Sequence, residues 1–284
     1  MKFHHPSADI FVPDNLPTEQ ALARTTHLGI GAHQDDLEFM CLHGILACFQ
    51  KTDRWFTGVT VTDGRGSSRA NEYAGYTDDQ MVAVRRVEQR KAAYVGEYGA
   101  ALQLDYPSRE VKDPLSRHLV EDLKRILVAT GPEVVYTHNL ADKHETHIGV
   151  GIPVVQAIRE LPAAQRPKAV YGCEVWRNLD WMPDAEKVVQ DVGAHENLAA
   201  ALNGIFDSQI AGGKRYDLAV LGRRRANATF FESHGVDQSD ALAFAMDLTP
   251  LAHDDSLDIL DYVTGFIDRF RADVLAKLRQ RLGK

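Results

Sequence analysis

Cysteine is scarce in this chain of 284 residues, which has only Cys41, Cys48 and Cys173. Their number is odd, and no two of them form a CxxC pair. No secretory signal pattern opens the sequence either. Disulfide-rich secreted proteins usually have an even number of cysteines and a signal peptide. We therefore expect a reducing, cytoplasmic location.

Long apolar stretches and long basic runs are also missing. No apolar segment approaches the length of a membrane span, so we expect none. The longest basic run is Arg223-Arg224-Arg225, and it lies inside a helical pattern. Since the formal net charge is -8, the composition argues against a nucleic-acid or anionic-membrane partner.

What the chain does contain is a regular alternation of strand and helix patterns. The predicted strands cover residues 26–32, 55–62, 101–106, 133–137 and 168–176, and the predicted helices between them cover residues 38–51, 77–98, 117–130 and 145–161. Such alternation predicts βαβ crossovers and therefore an α/β fold with a mostly parallel sheet, covered by helices on both faces.

The two ends of the chain have a different character. Residues 1–17 read as an irregular arm, and the segments 194–210, 216–230 and 256–282 all show helical patterns. With 44% hydrophobic residues, the chain can build one sizeable core. We therefore predict a single domain, with a core of about residues 24–180 and a helical C-terminal extension of about residues 190–284.

Polar side chains follow three of the predicted strands. The groups are His33, Asp35 and Asp36 after the first strand, Asp63, Gly64 and Arg65 after the second, and His138, Asp142, His144 and His147 after the fourth. In open parallel sheets, ligands bind beyond the carboxyl ends of the strands, so we expect these groups to meet at one rim.

Two of these groups suggest a metal site. His33 and Asp36 are three residues apart, as are His144 and His147, and this spacing can aim both side chains at one point. A catalytic zinc takes three nitrogen or oxygen ligands and keeps a fourth position for water. His33, Asp36 and His147 would form such a set, and Asp35 would remain free to take a proton from the water.

The same residues also allow a purely structural interpretation. Asp35 and Glu38 have capping-box spacing, and so do Asp142 and Glu145, so each aspartate could simply satisfy amide groups at a helix start. Capping does not account for the position of both histidine-containing clusters after predicted strands. A capped helix start is also a rigid place to mount ligands, so the metal hypothesis is favoured.

Two other functions are compatible with parts of the pattern. Gly29-Ile30-Gly31 begins a GxGxxG motif and Asp53 lies where an acidic ribose ligand could, but Gln34 replaces the third glycine. Nucleotide binding would also leave the second histidine cluster without a role. The other alternative is a metal-stabilised sugar-binding module without catalysis. A spare base such as Asp35 argues against it, because structural zinc sites are usually closed by a fourth protein ligand.

Four segments of the chain match motifs of a known enzyme family: AHQDDLEF, HNLADKHETHIGVG, VTDGRGS and VRRVEQRKAAYVG. Together they resemble the PIG-L / LmbE-like zinc deacetylase family. AHQDDLEF is similar to the family's AHPDDxE signature, and HNLADKHETHIGVG is similar to its D-x-H-x-x-H motif after a strand. VTDGRGS and VRRVEQRKAAYVG fall where the family has a TDG loop and a helix with an Arg and a Glu. The resemblance covers about residues 26–176. It implies a Rossmann-like fold and hydrolysis of the N-acetyl group of a GlcNAc-type sugar or glycoconjugate.

The resemblance also implies a role for individual residues. It makes His33, Asp36 and His147 the ligands of a Zn²⁺ ion, although such sites bind several divalent ions. It makes Asp35 the general base, and it assigns His144 to polarising the carbonyl or protonating the leaving amine. Arg85 matches an arginine that helps to hold the substrate.

Two departures from the family pattern bear on these roles. Gln34 replaces the usual proline, which concerns only the turn. Thr146 stands where many relatives have an aspartate beside the ligand histidine. If that aspartate orients His144, then Asp142 or Glu145 must substitute for it.

The remaining expectations concern the substrate and the assembly. Asp63, Arg65 and Arg85 are candidates for binding sugar hydroxyls or a phosphate, although an ordinary turn or a surface arginine accounts for each equally well. Trp176 and Trp181 either form an apolar wall for a sugar or belong to the core. We expect a small N-acetylated sugar or glycoconjugate as substrate. The assembly state stays open, since the C-terminal helices could serve an interface.

Overall fold

The computed structural model describes residues 1–284 and contains one eight-stranded sheet. Its strands are β1 (Asp9–Phe11), β2 (His27–Gly31), β3 (Phe56–Thr62), β4 (Ala100–Tyr106), β5 (Val134–His138), β6 (Ala169–Cys173), β7 (Lys187–Asp191) and β8 (Leu242–Asp247).

Twelve α-helices connect and cover these strands. They are α1 (Thr18–Ala23), α2 (Asp36–Met40), α3 (Leu42–Cys48), α4 (Asp78–Val95), α5 (Ser108–Val111), α6 (His118–Thr130), α7 (Glu145–Arg159), α8 (Glu196–Gly204), α9 (Asp207–Ile210), α10 (Tyr216–Phe230), α11 (Thr249–His253) and α12 (Ile259–Leu282). None of them combines the length and the apolar character needed to cross a bilayer.

The strand order is β1-β4-β3-β2-β5-β6-β8-β7. The five central strands, β4, β3, β2, β5 and β6, pair in parallel, whereas β1 pairs antiparallel with β4, β8 with β6, and β7 with β8. This arrangement confirms the prediction of an α/β fold with a mostly parallel sheet.

Helices cover both faces of the sheet, as predicted. Leu28 and Ile30 of β2 point into one buried apolar cluster, which also contains Leu123 of α6 and Val154 of α7. The opposite face packs against a second cluster that includes Leu37 of α2, among residues from α3, α4 and α8. Because β2 is buried on both faces, its sequence lacks the polar alternation of a half-exposed strand.

The topology also indicates where a ligand can bind. From β2 the chain moves outward through β3 to β4, and it then returns to the other side of β2 to form β5 and β6. Ligands bind in such sheets where neighbouring connections leave in opposite directions, at the carboxyl ends of the strands. Here that position lies between the β2–α2 turn and the β5–α7 loop, which carry the two histidine clusters.

Three segments differ from the sequence-based expectation. The helix predicted at 38–51 is divided into α2 and α3 at Cys41, and the N-terminal arm contributes β1 to the sheet edge. The region after Arg177 is helical in α8, α10 and α12, but it also contributes β7 and β8. Those two strands are short runs whose pairing partners are distant in sequence, so periodicity alone does not reveal them.

Candidate active site

The turn after β2 places the first cluster. β2 ends at Gly31, and α2 begins at Asp36 after a tight turn through His33. The backbone N–H of His33 donates to Oδ2 of Asp36 at 2.7 Å, which fixes the carboxylate against the turn. A Cβ on Gly31 would lie 2.9 Å from the Cβ of Asp36. The glycine is therefore needed so that the buried Asp36 side chain can approach the end of the strand.

Three side-chain atoms of the two clusters meet in a nearly equilateral triangle. Nδ1 of His33 lies 3.2 Å from Oδ2 of Asp36 and 3.2 Å from Nε2 of His147. The third edge, from Nε2 of His147 to Oδ2 of Asp36, is 3.5 Å. Ligands of a tetrahedral zinc, with bonds of about 2.1 Å, lie about 3.4 Å apart. The two imidazoles and the carboxylate therefore have both the chemistry and the spacing of a divalent-cation site.

The Asp142 carboxylate contacts two histidines of the second cluster, His144 and His147. Its Oδ2 lies 3.4 Å from Nδ1 of His147, and its Oδ1 accepts from the backbone N–H of His144 at 3.1 Å. Histidine ligands of metals commonly donate their other ring nitrogen to a carboxylate in this way. Although burial lowers the pKa of His147, the carboxylates of Asp36 and Asp142 outweigh it and raise the pKa.

His138 is a member of the cluster to which sequence reasoning gave no role. Its ring is fully buried and stacks on that of His147 with centroids 3.8 Å apart. Its Nε2 accepts from the backbone N–H of Ala32 at 2.8 Å and lies 3.4 Å from Oδ2 of Asp36. Because this nitrogen already accepts a hydrogen bond, His138 supports the site and is not needed as a ligand. Its place at the end of β5 was the only signal in the sequence.

Asp35 is held in an unusual conformation by α4. Its φ is 98°, in the left-handed region that a non-glycine residue rarely adopts. Its N–H donates to Oε1 of Gln89 at 3.3 Å, and its Oδ2 accepts from Nη2 of Arg85 at 3.0 Å. Burial raises the pKa of Asp35 to about 6, against the opposing charge of Arg85. Strain of this kind is characteristic of functional positions.

Neither capping box of the structural interpretation forms, since α2 and α7 both start without a side-chain cap hydrogen bond. The Asp35 side chain makes no cap hydrogen bond at the start of α2. Glu38 is fully buried and accepts from Nε2 of Gln89 at 2.8 Å and from the hydroxyl of Tyr98 at 2.7 Å. Burial raises the pKa of Glu38 to about 8. The Asp142 carboxylate faces the histidine cluster.

His144 lies beside the triangle without a carboxylate to orient its ring. Asp142 contacts its backbone, the Glu145 side chain is exposed, and the ring Nδ1 has no partner. Neither Asp142 nor Glu145 therefore takes the role of orienting the His144 ring, which the resemblance gives to an aspartate at the position of Thr146. Burial and the neighbouring rings of His147 and His33 lower the pKa of His144 to about 4.

A cavity of about 650 Å³ opens over the cluster. Its lining includes His33, Asp35, Asp36, Arg85 and His144 from the two clusters and α4, Gly64, Gly66, Ser67 and Ser68 from the loop after β3, and Glu174, Trp176, Tyr216, Arg223 and Arg224 from later segments. The cavity is large enough for a small substrate.

The predicted substrate-binding residues lie in different environments. Asp63 is buried and accepts from the backbone N–H of Arg65 at 3.1 Å, and neither residue lines the cavity. Arg85 does line it, but its guanidinium is occupied by Asp35 and by Glu88, at 3.0 and 3.3 Å. In the structure, the Arg85 guanidinium therefore contacts the Asp35 carboxylate and positions it.

The two tryptophans also separate. Trp176 lines the cavity, with its ring 6.2 Å from that of His144 and nearly parallel to it. Trp181 packs against the apolar core. Only Trp176 can therefore contact a substrate.

The residues that suggested a nucleotide site are occupied by packing or lie away from the cavity. A Cβ on Gly29 would lie 2.6 Å from the Phe56 ring, so this glycine serves packing between strands and helix. Asp53 is exposed and precedes β3, which places it at the amino end of the parallel strands, opposite to the cavity. The geometry thus gives nucleotide binding no support.

Comparisons with known proteins agree with this geometry. The family model described as PIG-L: GlcNAc-PI de-N-acetylase matches residues 28–158. No curated protein matches the chain.

Among solved structures, the chain is similar to GalB, the 4-carboxy-2-hydroxymuconate hydratase of Pseudomonas putida KT2440, with 17% identity over 80% of this chain and 97% of that chain and a TM-score of 0.62. It is also similar to the N,N'-diacetylchitobiose deacetylase of Pyrococcus horikoshii, with 17% identity over 78% of this chain and 83% of that chain and a TM-score of 0.56. At this identity the likeness shows a shared fold, and since the two neighbours are named for different reactions, it does not decide the chemistry.

Proposed function

Because the chain belongs to the PIG-L / LmbE-like family through residues 28–158, we propose that it is a zinc-dependent hydrolase that removes the N-acetyl group from a GlcNAc-type sugar or glycoconjugate. The observation that carries this proposal is the triangle of His33, Asp36 and His147, with edges of 3.2, 3.2 and 3.5 Å. A buried carboxylate, that of Asp35, lies next to it in the same cavity.

The donor set suits the metal that the family implies. His33, Asp36 and His147 would hold it, with Asp142 behind His147. Imidazole and carboxylate donors bind zinc and also other first-row ions, so Zn²⁺ is the proposed choice among several. When bound, the cation acts as a Lewis acid toward the amide carbonyl and lowers the pKa of a water in contact with it from about 15.7 toward about 7.

Asp35 is the proposed general base. It lines the cavity, and α4 holds it from behind through Arg85 and Gln89, so its orientation is set before substrate arrives. A carboxylate in this place removes the proton from the attacking water. General-base help of this kind contributes about 10²–10⁴-fold in rate.

His144 is the proposed partner on the substrate side. Its ring lines the cavity within reach of the triangle. From there it can hydrogen-bond the developing oxyanion or deliver a proton to the leaving nitrogen. Cleavage of the amide bond needs that proton, and Asp35, once protonated, is the other group able to supply it.

Acetate release from a panel of N-acetylated sugars, measured on protein of known metal content, tests the proposal. We expect release from at least one glucosamine derivative, and we expect chelation to abolish it and added zinc to restore it. A zinc-loaded protein that binds these sugars but releases no acetate would instead be a sugar-binding protein without deacetylase activity. Tight NAD binding by metal-free protein would favour the nucleotide alternative.

Two broader expectations accompany this proposal. We propose that residues 1–284 form one domain, with its core at about 24–180 and the C-terminal extension at about 190–284. We also predict a cytoplasmic location from the scarcity and spacing of cysteine.

A further inference from the structure

Three histidine side chains surround one glutamate beside the N-terminal arm. His4 and His5 belong to the arm, Glu110 lies on α5, and His118 is the first residue of α6. None of the four residues lines the cavity of the candidate active site. The proposed deacetylase function therefore does not account for this cluster.

The donor atoms of the cluster converge on the Glu110 carboxylate. Nε2 of His5 lies 2.9 Å from Oε2 of Glu110, and Nε2 of His4 lies 3.6 Å from Oε1. One donor atom from each of these three side chains lies within 4.8 Å of the other two. Ligands of a tetrahedral zinc lie about 3.4 Å apart, so a modest adjustment of the exposed His4 ring completes such a set.

Packing of the arm orders both histidines in the absence of a cation. The backbone N–H of His4 donates to Oδ2 of the buried Asp122 at 2.9 Å. The His5 ring meets the buried Tyr106 ring edge to face, with centroids 4.5 Å apart. Ligands that are already ordered lose less conformational entropy when they bind, so this arrangement favours a site.

His118 orients the other members of the cluster. Its ring stacks on that of His4, with centroids 3.6 Å apart and planes at 15°. Its Nδ1 lies 3.2 Å from Oε1 of Glu110, where an imidazole N–H can donate to the carboxylate. Carboxylates that bind metals are commonly held by an outer hydrogen bond of this kind. His118 therefore supports two of the three donor side chains.

Solvent and ions can reach the cluster. The side chains of His4, His5 and Glu110 are 37%, 22% and 21% exposed. A depression of about 420 Å³ opens beside His4 and His118. A cation from solution therefore has access to these donor atoms without any change in the fold.

We propose that His4, His5 and Glu110 bind a divalent first-row metal cation such as Zn²⁺, at a site separate from the active-site triangle. Two imidazoles and a carboxylate suit zinc and its neighbours, whereas Mg²⁺ and Ca²⁺ prefer oxygen ligands. The cation links the N-terminal arm to α5, whose Ser108 borders the active-site cavity. Because its ligands are partly exposed and loosely spaced, this site binds zinc more weakly than the triangle. The inference does not depend on the deacetylase function, since no proposed catalytic residue takes part.

Zinc binding at equilibrium tests the site. Zinc alone is the probe, titrated calorimetrically into chelator-stripped protein. Bound metal is counted in equilibrium with a defined free zinc concentration, because a weak site empties in metal-free buffer. The variants are His5→Ala, Glu110→Gln and His118→Ala, each made in wild-type and in His147→Ala protein. His234→Ala is the matched control, since His234 is also exposed but belongs to no group of possible metal ligands.

We expect His5→Ala to bind one zinc fewer per chain than its parent in both backgrounds. His118→Ala should weaken binding of this zinc by about 10–100-fold, the usual effect of removing an outer partner, and Glu110→Gln should weaken it at least as much. His234→Ala should change nothing, and excess magnesium should not displace the zinc. In His147→Ala protein, zinc should raise the thermal midpoint only while His5 is present, because the cation binds the folded arm.

Two results would overturn the inference. One is that His5→Ala and Glu110→Gln bind as much zinc as their parents with the same affinity, or that His234→Ala loses the same zinc. The other is displacement of the zinc by magnesium, which would indicate attraction to charge alone. If His5→Ala lowers the thermal midpoint of zinc-free protein, the arm has loosened, and the isosteric Glu110→Gln decides the question. Failure of the deacetylase proposal looks different, since acetate release would be absent while the difference of one zinc persisted.

Discussion

Replacing Asp35 by asparagine separates the proposed base from the proposed metal ligands. The amide keeps the shape of the carboxylate and can still accept from Nη2 of Arg85, which lies 3.0 Å from the native oxygen. It cannot take up a proton at neutral pH. If Asp35 acts only as a base, turnover should fall by about 10²–10⁴-fold, and metal should remain bound.

Stability should change little in this variant. The Asp35–Arg85 pair is buried, so removal of one charge can cost several kcal/mol when the partner is left alone. Arg85, however, also contacts Glu88 at 3.3 Å and the backbone carbonyl of Gln34. We therefore expect a loss of about 1 kcal/mol or less in the free energy of unfolding.

The comparison variant is His147→Ala, which removes one corner of the triangle. It should lose both metal and activity, because it removes one of the three proposed ligand atoms. That atom is Nε2 of His147, which lies 3.2 Å from Nδ1 of His33 and 3.5 Å from Oδ2 of Asp36. The assays are metal content by mass spectrometry after dialysis and acetate release. Equal loss of metal in Asp35→Asn and His147→Ala would refute the division of roles.

The remaining predictions concern the supporting residues and the fold. Asp142→Asn should weaken zinc affinity by about 10–100-fold in a competition titration, with activity recovered at saturating zinc. Arg85→Gln should lower kcat with zinc retained, because Asp35 loses the contact that orients it; an effect on KM alone would point to substrate binding instead. Zinc at about 100 times its dissociation constant should raise the free energy of unfolding by about 2.7 kcal/mol over chelated protein in denaturant titrations, and an unchanged midpoint would exclude a native-state site. Burial lowers the pKa of His27 from 6.5 to about 4. The unfolded chain therefore binds more protons between these values, and stability should fall as the pH drops from 6.5 toward 4. His27→Gln should reduce this slope, and equal slopes in the two proteins would contradict the assignment.

The triangle could be anticipated because its members are local to two strand ends. His33 and Asp36 share one turn, and His147 follows the strand that neighbours theirs, so a parallel sheet brings them together once its order is known. The spacing of three residues and the position after an apolar run were the signals. Nothing beyond a short-range pattern and the rule for parallel sheets was needed.

Contacts between distant segments could not be anticipated. Arg85 reaches Asp35 across 50 residues of chain, and Arg224 of α10 reaches the carbonyl of Glu38 across 186 residues. Such pairs depend on side-chain direction and helix placement, which periodicity does not encode. The same limit applies to β7 and β8, whose short runs become strands only by pairing within the sheet.

The cavity joins two parts of the chain with different tasks. His33, Asp35 and Asp36 line it from within residues 28–158, whereas Glu174, Trp176 and Arg224 come from the chain that follows. Because neither the Glu174 nor the Trp176 side chain hydrogen-bonds the triangle, substitutions of these two residues should change which substrate binds and leave zinc affinity unaltered. Arg224 differs, since its Nη2 holds the carbonyls of Glu38 and Phe39 on α2, the helix that begins at Asp36. Selectivity in this protein can therefore change after β6 while the reaction centre stays the same.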